Sequence, residues 1–251
     1  MSYTERQEQI IGILEKHGYV TVKYLTDALH YSSATINRDL NALQSQQIVT
    51  RSYGGVELTS TKYVPVFLRT HKTHTVKRYI GKAAASFVKD GDTIFIDGST
   101  TAQYMAQYLI SKKDITVITN NIVLAADLST HGINVICLGG RVVEAPSMLY
   151  GPESVENASK YMVDKVFFST SAVSGDGMIA SGVYDLMFKA LFERAKEVFY
   201  LVDHKKVGEP FQRIFCNFND VTHVISDYVF SDAVKTKYSK TSFVTVEGGN
   251  E

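Results

Sequence analysis

Residues 93–101 read TIFIDGSTT, four β-forming positions that end on an acidic residue, a glycine and three consecutive hydroxyls. A β-forming run without polar alternation predicts a strand covered on both faces, as in a largely parallel sheet flanked by helices. The D-G-S-T-T tail predicts a reversal into a helix from Thr101, with backbone N–H groups and hydroxyls open at the strand's carboxyl end. The pattern recurs downstream. ITVIT (115–119) precedes a helical stretch from Ile122, INVICL (133–138) runs into Gly139-Gly140, and KVFFS (165–169) precedes a helix around 184–195. EVFYLV (197–202) is followed by β-like runs near 221–225 and 242–246. Strands alternating with helices over 76–251 predict an α/β domain.

In such sheets ligands sit at the carboxyl ends of the strands. Asp97, Gly98, Ser99, Thr100 and Thr101 follow the first strand, Thr119, Asn120 and Asn121 end the second, and Gly139 and Gly140 end the third. Asp203 and Lys205, directly after EVFYLV, form a fourth cluster, while the neighbouring Lys206 reads as a solvated turn residue. Singly these are ordinary turn residues. Together they predict one pocket suited to a phosphate.

Upstream, residues 1–58 read as a small helical unit. Thr4 is a cap, Ile10, Ile11 and Leu14 share a face, and Gly18 ends the first helix. A second helix capped by Thr21 is predicted to bury Leu25, Ala28 and Leu29. After a turn at His30 and Tyr31, Ser32 and Ser33 cap a third helix whose Ile36, Leu40 and Leu43 lie on one face. The run from Ile48 to Leu58, turning at Gly54-Gly55, predicts a β-wing. The third helix carries Thr35, Asn37, Arg38 and Asn41 on its polar side. Asn37, Arg38 and Asn41 suit base edges or phosphates, Ser33 and Thr35 suit phosphates near the helix start, and Arg51 and Tyr53 place the wing on the backbone or minor groove. Periodicity leaves a solvated face and a DNA-reading face equally open. Three helices and a wing in 58 residues, a winged helix-turn-helix, favour double-stranded DNA. Residues 59–75, basic and interrupted by Pro65, read as a linker.

Composition narrows the rest. With 251 residues, 45% hydrophobic and 21% charged, the chain is globular, and no apolar run approaches the length of a membrane span. The start, MSYTERQEQI, lacks a secretory apolar stretch, so a cytoplasmic protein without membrane partners is expected. Cys137 and Cys216 lie in apolar β-like runs and read as buried free thiols. The seven histidines are scattered and the phosphate-loop and dinucleotide glycine motifs are absent, which predicts neither a metal nor a cofactor. Net charge is zero, yet residues 61–90 hold seven basic groups against one acidic, whereas residues 1–60 hold five against six. Bulk charge therefore gives no support to DNA binding by the N-terminal unit.

The ordered phrases RQEQIIGIL (6–14), SSATINRDLNAL (32–43) and RSYGGV (51–56) resemble the DeoR family of bacterial transcriptional regulators. So do IGKAA (80–84), DGDTIFIDGSTT (90–101), VITNN (117–121), LGG (138–140) and LVDHKKVG (201–208). The resemblance implies a winged helix-turn-helix followed by a sensor domain similar to ribose-5-phosphate isomerase. It also implies a homo-oligomeric repressor of carbohydrate-metabolism genes that responds to a phosphorylated sugar. Two positions depart from the family pattern. Asn37 stands where the family usually has Arg, which predicts a shift from guanine towards adenine. Ser99 stands where the family usually has Gly, which restricts the loop backbone.

A rival reading is a sugar-phosphate isomerase with an N-terminal interaction domain. It needs a general base, for which Asp97, Asp176 and Asp203 are available, and it leaves the winged helix unexplained.

Overall fold

Caps and apolar stripes build the N-terminal unit: α1 (Glu5–His17), β1 (Tyr19–Thr21), α2 (Val22–Leu29), α3 (Ser33–Ser45), β2 (Val49–Ser52) and β3 (Gly55–Leu58). The computed structural model describes residues 5–45, 48–52, 55–58, 74–144 and 148–247, and the chain divides into two units between residues 72 and 73. Thr4, Tyr53, Gly54 and the predicted linker up to residue 73 lie outside the described residues. Gly18, at φ +73°, donates its N–H to the Leu14 carbonyl and ends α1. Thr21 caps α2 by accepting from the Tyr24 N–H at 3.1 Å, and Ser32 caps α3 by accepting from the Thr35 N–H at 3.2 Å. Ile10, Ile11, Leu14, Leu25, Ile36, Leu40 and Leu43 form one buried cluster with Val49 and Val56 of the wing. Ala28, predicted to be buried, is exposed, and Leu29 is only half-buried, because Leu25 is the one fully buried residue of the short α2.

The wing gains a third strand that the sequence reading missed, giving the order β1-β3-β2. Gly55 pairs with both Thr21 and Ser52, so it opens β3 and is not a turn residue. A Cβ there would lie 2.7 Å from the Val20 carbonyl oxygen, which explains the glycine. Buried Asp39 on α3 accepts from Arg6 Nε and from Gln7 Nε2, both on α1. The Arg6 guanidinium also covers the Tyr31 ring at 4.9 Å. These contacts fix α3 against α1.

The second unit begins with α4 (His74–Ser86), which absorbs His74 and Thr75 from the predicted linker. It continues with β4 (Thr93–Ile96), α5 (Thr100–Gln103), α6 (Ala106–Leu109), β5 (Thr116–Thr119), α7 (Ile122–Thr130), β6 (Asn134–Cys137), β7 (Arg141–Glu144), β8 (Met148–Tyr150) and α8 (Pro152–Ala158). Then follow β9 (Val163–Phe168), β10 (Met178–Ala180), α9 (Asp185–Phe192), β11 (Ala195–Val202), β12 (Ile214–Asn217), β13 (His223–Ser226), α10 (Asp232–Lys237) and β14 (Ser242–Thr245). The main sheet has seven parallel strands in the order β14-β13-β11-β9-β4-β5-β6. The chain builds outwards from β4 to β6, then crosses over and builds outwards again from β9. The switch point therefore lies between β4 and β9.

Both faces of the sheet are buried. Ile94, Ile96, Val117, Phe167, Phe199, Leu201 and Ile225 pack in one cluster with Ile80, Ala84 and Val88 of the α4 region. Phe95, Ile118, Val166, Phe168, Tyr200 and Val202 face the other cluster with Met187, Phe188 and Leu191 of α9. Two antiparallel pairs, β7 with β8 and β10 with β12, interrupt the expected alternation. Cys137 is exposed at the end of the edge strand β6, and Cys216 is half-buried on the small β10/β12 sheet, so neither is the buried thiol expected.

α4 crosses the Tyr104 main chain closely enough that a Cβ on Gly81 would come within 2.7 Å of the Tyr104 carbonyl carbon. Gly12 of α1 has no such neighbour. Alanine normally stabilises a helix interior over glycine by about 1 kcal/mol. Gly12→Ala should therefore raise the melting temperature, whereas Gly81→Ala should destabilise by about 1–3 kcal/mol through overpacking, both read by thermal unfolding.

Candidate functional site

Asp97 ends β4 and Ser169 ends β9, so the two flank the switch point. The Ser169 N–H donates to Asp97 Oδ2 at 3.2 Å, while the Ser99 N–H and hydroxyl donate to Asp97 Oδ1 at 3.2 and 2.5 Å. Ser99 itself caps α5 by accepting from the Ala102 N–H. Its φ is −65°, available to any residue, so the serine in place of the family's glycine introduces no backbone strain. At the end of β5, Asn120 Oδ1 accepts from the Gly98 N–H at 3.0 Å, and its Nδ2 donates to the Leu149 carbonyl at 3.1 Å. The Thr119 hydroxyl accepts from the Asn121 N–H, and Asn121 Oδ1 caps α7 through the Leu124 N–H. Asn121 Nδ2 is buried without a partner among the described residues, leaving an unspent donor there.

Two lysines join this cluster. Lys206, in the turn after β11, sends its ammonium to Ser169 Oγ at 2.8 Å and Thr101 Oγ1 at 3.4 Å. Thr101 and Ser169 are themselves buried, so the solvated-turn reading of Lys206 is corrected: the 3₁₀ turn His204–Lys206 aims it at the strand ends. The neighbouring Lys205 is exposed. Asp227 anchors that turn by accepting from the His204 N–H at 2.7 Å and from its imidazole. Lys77, buried on α4, donates to Thr100 Oγ1 at 2.9 Å. Burial, reinforced by the charge on Lys206, lowers the Lys77 pKa to about 8. Burial also lowers that of Lys206, against the pull of Asp203 and Asp97. Asp97 moves the other way, pushed up to about 6 by burial in spite of its hydrogen bonds.

The structure brings Asp97 to Thr101, Thr119, Asn120, Asn121 and Asp203 to the carboxyl end of the sheet, together with Lys77, Ser169 and Lys206, which the sequence reading did not include. Gly139 and Gly140 follow β6 and pack elsewhere. Ser154 Oγ donates to the Gly139 carbonyl, and a Cβ on Gly140, at φ +129°, would meet the Tyr150 main chain at 2.9 Å. They seat the β7/β8 hairpin, whose Leu149 is held by Asn120. Asp176 lies on a separate turn, bonded to Ser174 and paired with Lys237.

In the N-terminal unit, Ser33, Arg38 and Asn41 are exposed on α3, whereas Thr35 and Asn37 are half-buried. The Thr35 hydroxyl bonds Ser32 Oγ. Asn37 Nδ2 donates to the Ser33 carbonyl at 2.8 Å and to Ser33 Oγ at 3.2 Å. Arg51 of β2 reaches across to α3, donating from Nη1 to Asn41 Oδ1 at 2.8 Å and from Nη2 to Asn37 Oδ1 at 2.6 Å. Tyr53 lies outside the described residues.

The lowered pKa of Lys77 carries a stability consequence. The folded state binds fewer protons than the unfolded chain between about 8 and 10.5, so the cost of burying this charge is fully present below pH 8 and disappears as pH rises through that window. Lys77→Met should raise thermal stability at pH 7, by about 3 kcal/mol less the lost Thr100 bond. The gain should shrink towards pH 10.

Both units match known families. The family model of the DeoR-like helix-turn-helix domain covers residues 6–62, and that of the DeoR C terminal sensor domain covers residues 72–228. The HTH-type transcriptional repressor GlcR of Bacillus subtilis is 34% identical over 232 residues, spanning 90% of this chain and 89% of its own. The lactose phosphotransferase system repressor of Staphylococcus aureus is 29% identical over 243 residues, spanning 94% and 96%. Ribose 5-phosphate isomerase A from Methanocaldococcus jannaschii shares 19% identity at a TM-score of 0.40, over 54% of this chain and 55% of that one, a likeness that bears on neither ligand nor chemistry. Matched through both units, the chain belongs to the DeoR family, DNA-binding transcriptional regulators with a C-terminal sensor domain, and is not an enzyme.

Proposed function

We propose that the second unit binds a phosphorylated sugar at the β4/β9 switch point, and that binding alters the affinity of the N-terminal unit for its operator in a repressor of carbohydrate-metabolism genes. The observation that carries this reading is the pair of inward-facing lysines, Lys77 and Lys206, whose ammonium groups bond only to hydroxyls among the described residues. Lys77 is buried and Lys206 points its ammonium at buried hydroxyls, a desolvation cost that Asp97 and Asp203 offset only through space and that a dianion would offset directly, and a phosphate monoester is the natural dianion at neutral pH. Thr100, Thr101, Ser169 and Asn121 supply further polar groups for its oxygens and for sugar hydroxyls. The relative named as a lactose phosphotransferase system repressor supports a sugar as the remainder of the ligand.

Lys77 lies on α4, the first described helix after the segment that joins the units. An anion that draws Lys77 inwards acts on the helix nearest in sequence to the DNA-binding unit. Coupling of this kind is reciprocal, so DNA must change effector affinity by the factor with which the effector changes DNA affinity. Sequence-specific binding by so weakly charged a unit calls for two copies on paired half-sites, hence a cytoplasmic homo-oligomer, a dimer or a tetramer.

The test is fluorescence anisotropy on a duplex selected from a random library, titrated with a panel of sugar phosphates and the same sugars unphosphorylated. One phosphorylated sugar should shift DNA affinity while its unphosphorylated form does not, and Lys206→Met should bind DNA normally yet lose the response. Effector affinity should fall above pH 8 as Lys77 loses its proton, and below about pH 6 as the phosphate gains one. A Lys206→Met protein that responds like the parent would sink the assignment.

A further inference from the structure

We propose that Arg51 of the wing, and not Asn37 of the recognition helix, reads a guanine in the major groove, with Asn37 and Asn41 serving as positioning residues for it. This rests on the DNA-binding role of the N-terminal unit.

The argument starts from the hydrogen-bonding capacity of Asn37. A carboxamide has two N–H donors and one carbonyl acceptor. Reading adenine bidentately takes one donor and the acceptor together. Both donor directions of Asn37 are engaged within α3, by the Ser33 carbonyl at 2.8 Å and Ser33 Oγ at 3.2 Å. Its carbonyl already accepts from Arg51 Nη2 at 2.6 Å. Reading adenine would require this side chain to abandon contacts on both ends. It is built as a brace.

What it braces is the guanidinium. Arg51 Nη1 and Nη2 bond the carbonyl oxygens of Asn41 and Asn37, two residues one helical turn apart on the same face of α3. The two asparagines thus tether the guanidinium to the face that a groove-entering helix presents to base edges. Only two of the five guanidinium N–H groups are spent on them. Guanine, with its O6 and N7 acceptors, is the base matched to such a fork. A phosphate contact would place the cation at the helix start or flank, near Ser33, instead of across the middle of α3. The cation missing from position 37 is thereby returned to the same helix face from the wing.

The experiment selects a duplex from a random library with the parent protein, then replaces each guanine of the half-site in turn by 7-deazaguanine, which keeps the Watson–Crick pair and removes only the N7 acceptor. One guanine per half-site should show a roughly five- to hundred-fold loss of affinity with the parent. The same replacement should have no further effect on Arg51→Met. Asn37→Ala should relax the preference at that same guanine, and the double variant should bind no worse than Arg51→Met alone. Unchanged melting temperatures of the single variants secure the comparison. The proposal is overturned if Asn37→Ala relaxes an adenine position and its effect multiplies with that of Arg51→Met. It is also overturned if Arg51→Met weakens every duplex equally with no guanine dependent on it, the mark of a phosphate contact. A parent protein that selects no duplex would overturn the DNA-binding reading itself, and this assignment with it.

Discussion

Four ionisable side chains, Asp97, Asp203, Lys77 and Lys206, are packed into the end of a parallel sheet, and the organisation of the sensor unit follows from keeping them there. Three of the four are almost wholly buried, and the fourth points its ammonium at buried hydroxyls. Isolated charges at such a place would be prohibitive, so each must be neutralised, shifted or bonded. Asp97 is bonded three times, by two backbone N–H groups and one hydroxyl, and its burial still raises its pKa. The lysines have fewer partners. The two carboxylates offset the two ammonium groups through space, while the hydrogen bonds of the ammonium groups go to hydroxyls.

The fold brings these four groups together without special devices. Strands β4 and β9 are neighbours in the sheet, the segments leaving them pack on opposite faces, and the Ser169 N–H closes onto Asp97 between them. Asn120 then ties the Gly98 loop to the β8 strand, so that this loop and the β7/β8 hairpin share one side chain. In the N-terminal unit the corresponding tie is Asp39, buried on α3 and bonded to Arg6 and Gln7 of α1. Removing one partner of such a buried pair leaves an uncompensated charge, so the orientation of α3 is fixed by chemistry as well as by the apolar cluster.

Much of this was legible in the sequence because the relevant signals are local. Strand 93–96 and the capping serine at 32 announce themselves by residue type within a few positions. The clusters at Asp97 and Asn120 lie together, as expected, because a parallel sheet puts every strand's carboxyl end on one edge. Lys206 was misread because its direction depends on a 3₁₀ turn held by Asp227, more than twenty residues away. Lys77 was passed over because it was counted into the basic stretch around the linker. The signal was nevertheless present: Lys77, Ile80, Gly81 and Ala84 fall at helical spacing, so this lysine sits on an otherwise apolar stripe of α4. The β7/β8 and β10/β12 pairs are short and antiparallel, with exposed Val142, Val143 and Ile214, and carry too little pattern to compete with the main alternation. Gly139 and Gly140 were assigned to the pocket on residue type alone, whereas their neighbours Ser154 and Tyr150 are set by tertiary packing.

The two departures from the family pattern have a common logic. Ser99 replaces a glycine, yet its backbone adopts an ordinary conformation and its hydroxyl is spent twice within the loop, donating to Asp97 and accepting from Ala102. Asn37 replaces an arginine, and its carboxamide is spent on Ser33 and Arg51. In both cases the new polar group is absorbed by internal hydrogen bonds before any ligand arrives. Such bonds contribute little net stability each, about 1 kcal/mol, but they narrow the conformations open to the neighbouring side chain. Asp97 held by Ser99, and Arg51 held by Asn37, thus have less conformational entropy left to lose in any association. Ser99 and Asn37 act through the groups they hold, which is why residue type at those positions is a poor guide to what is recognised.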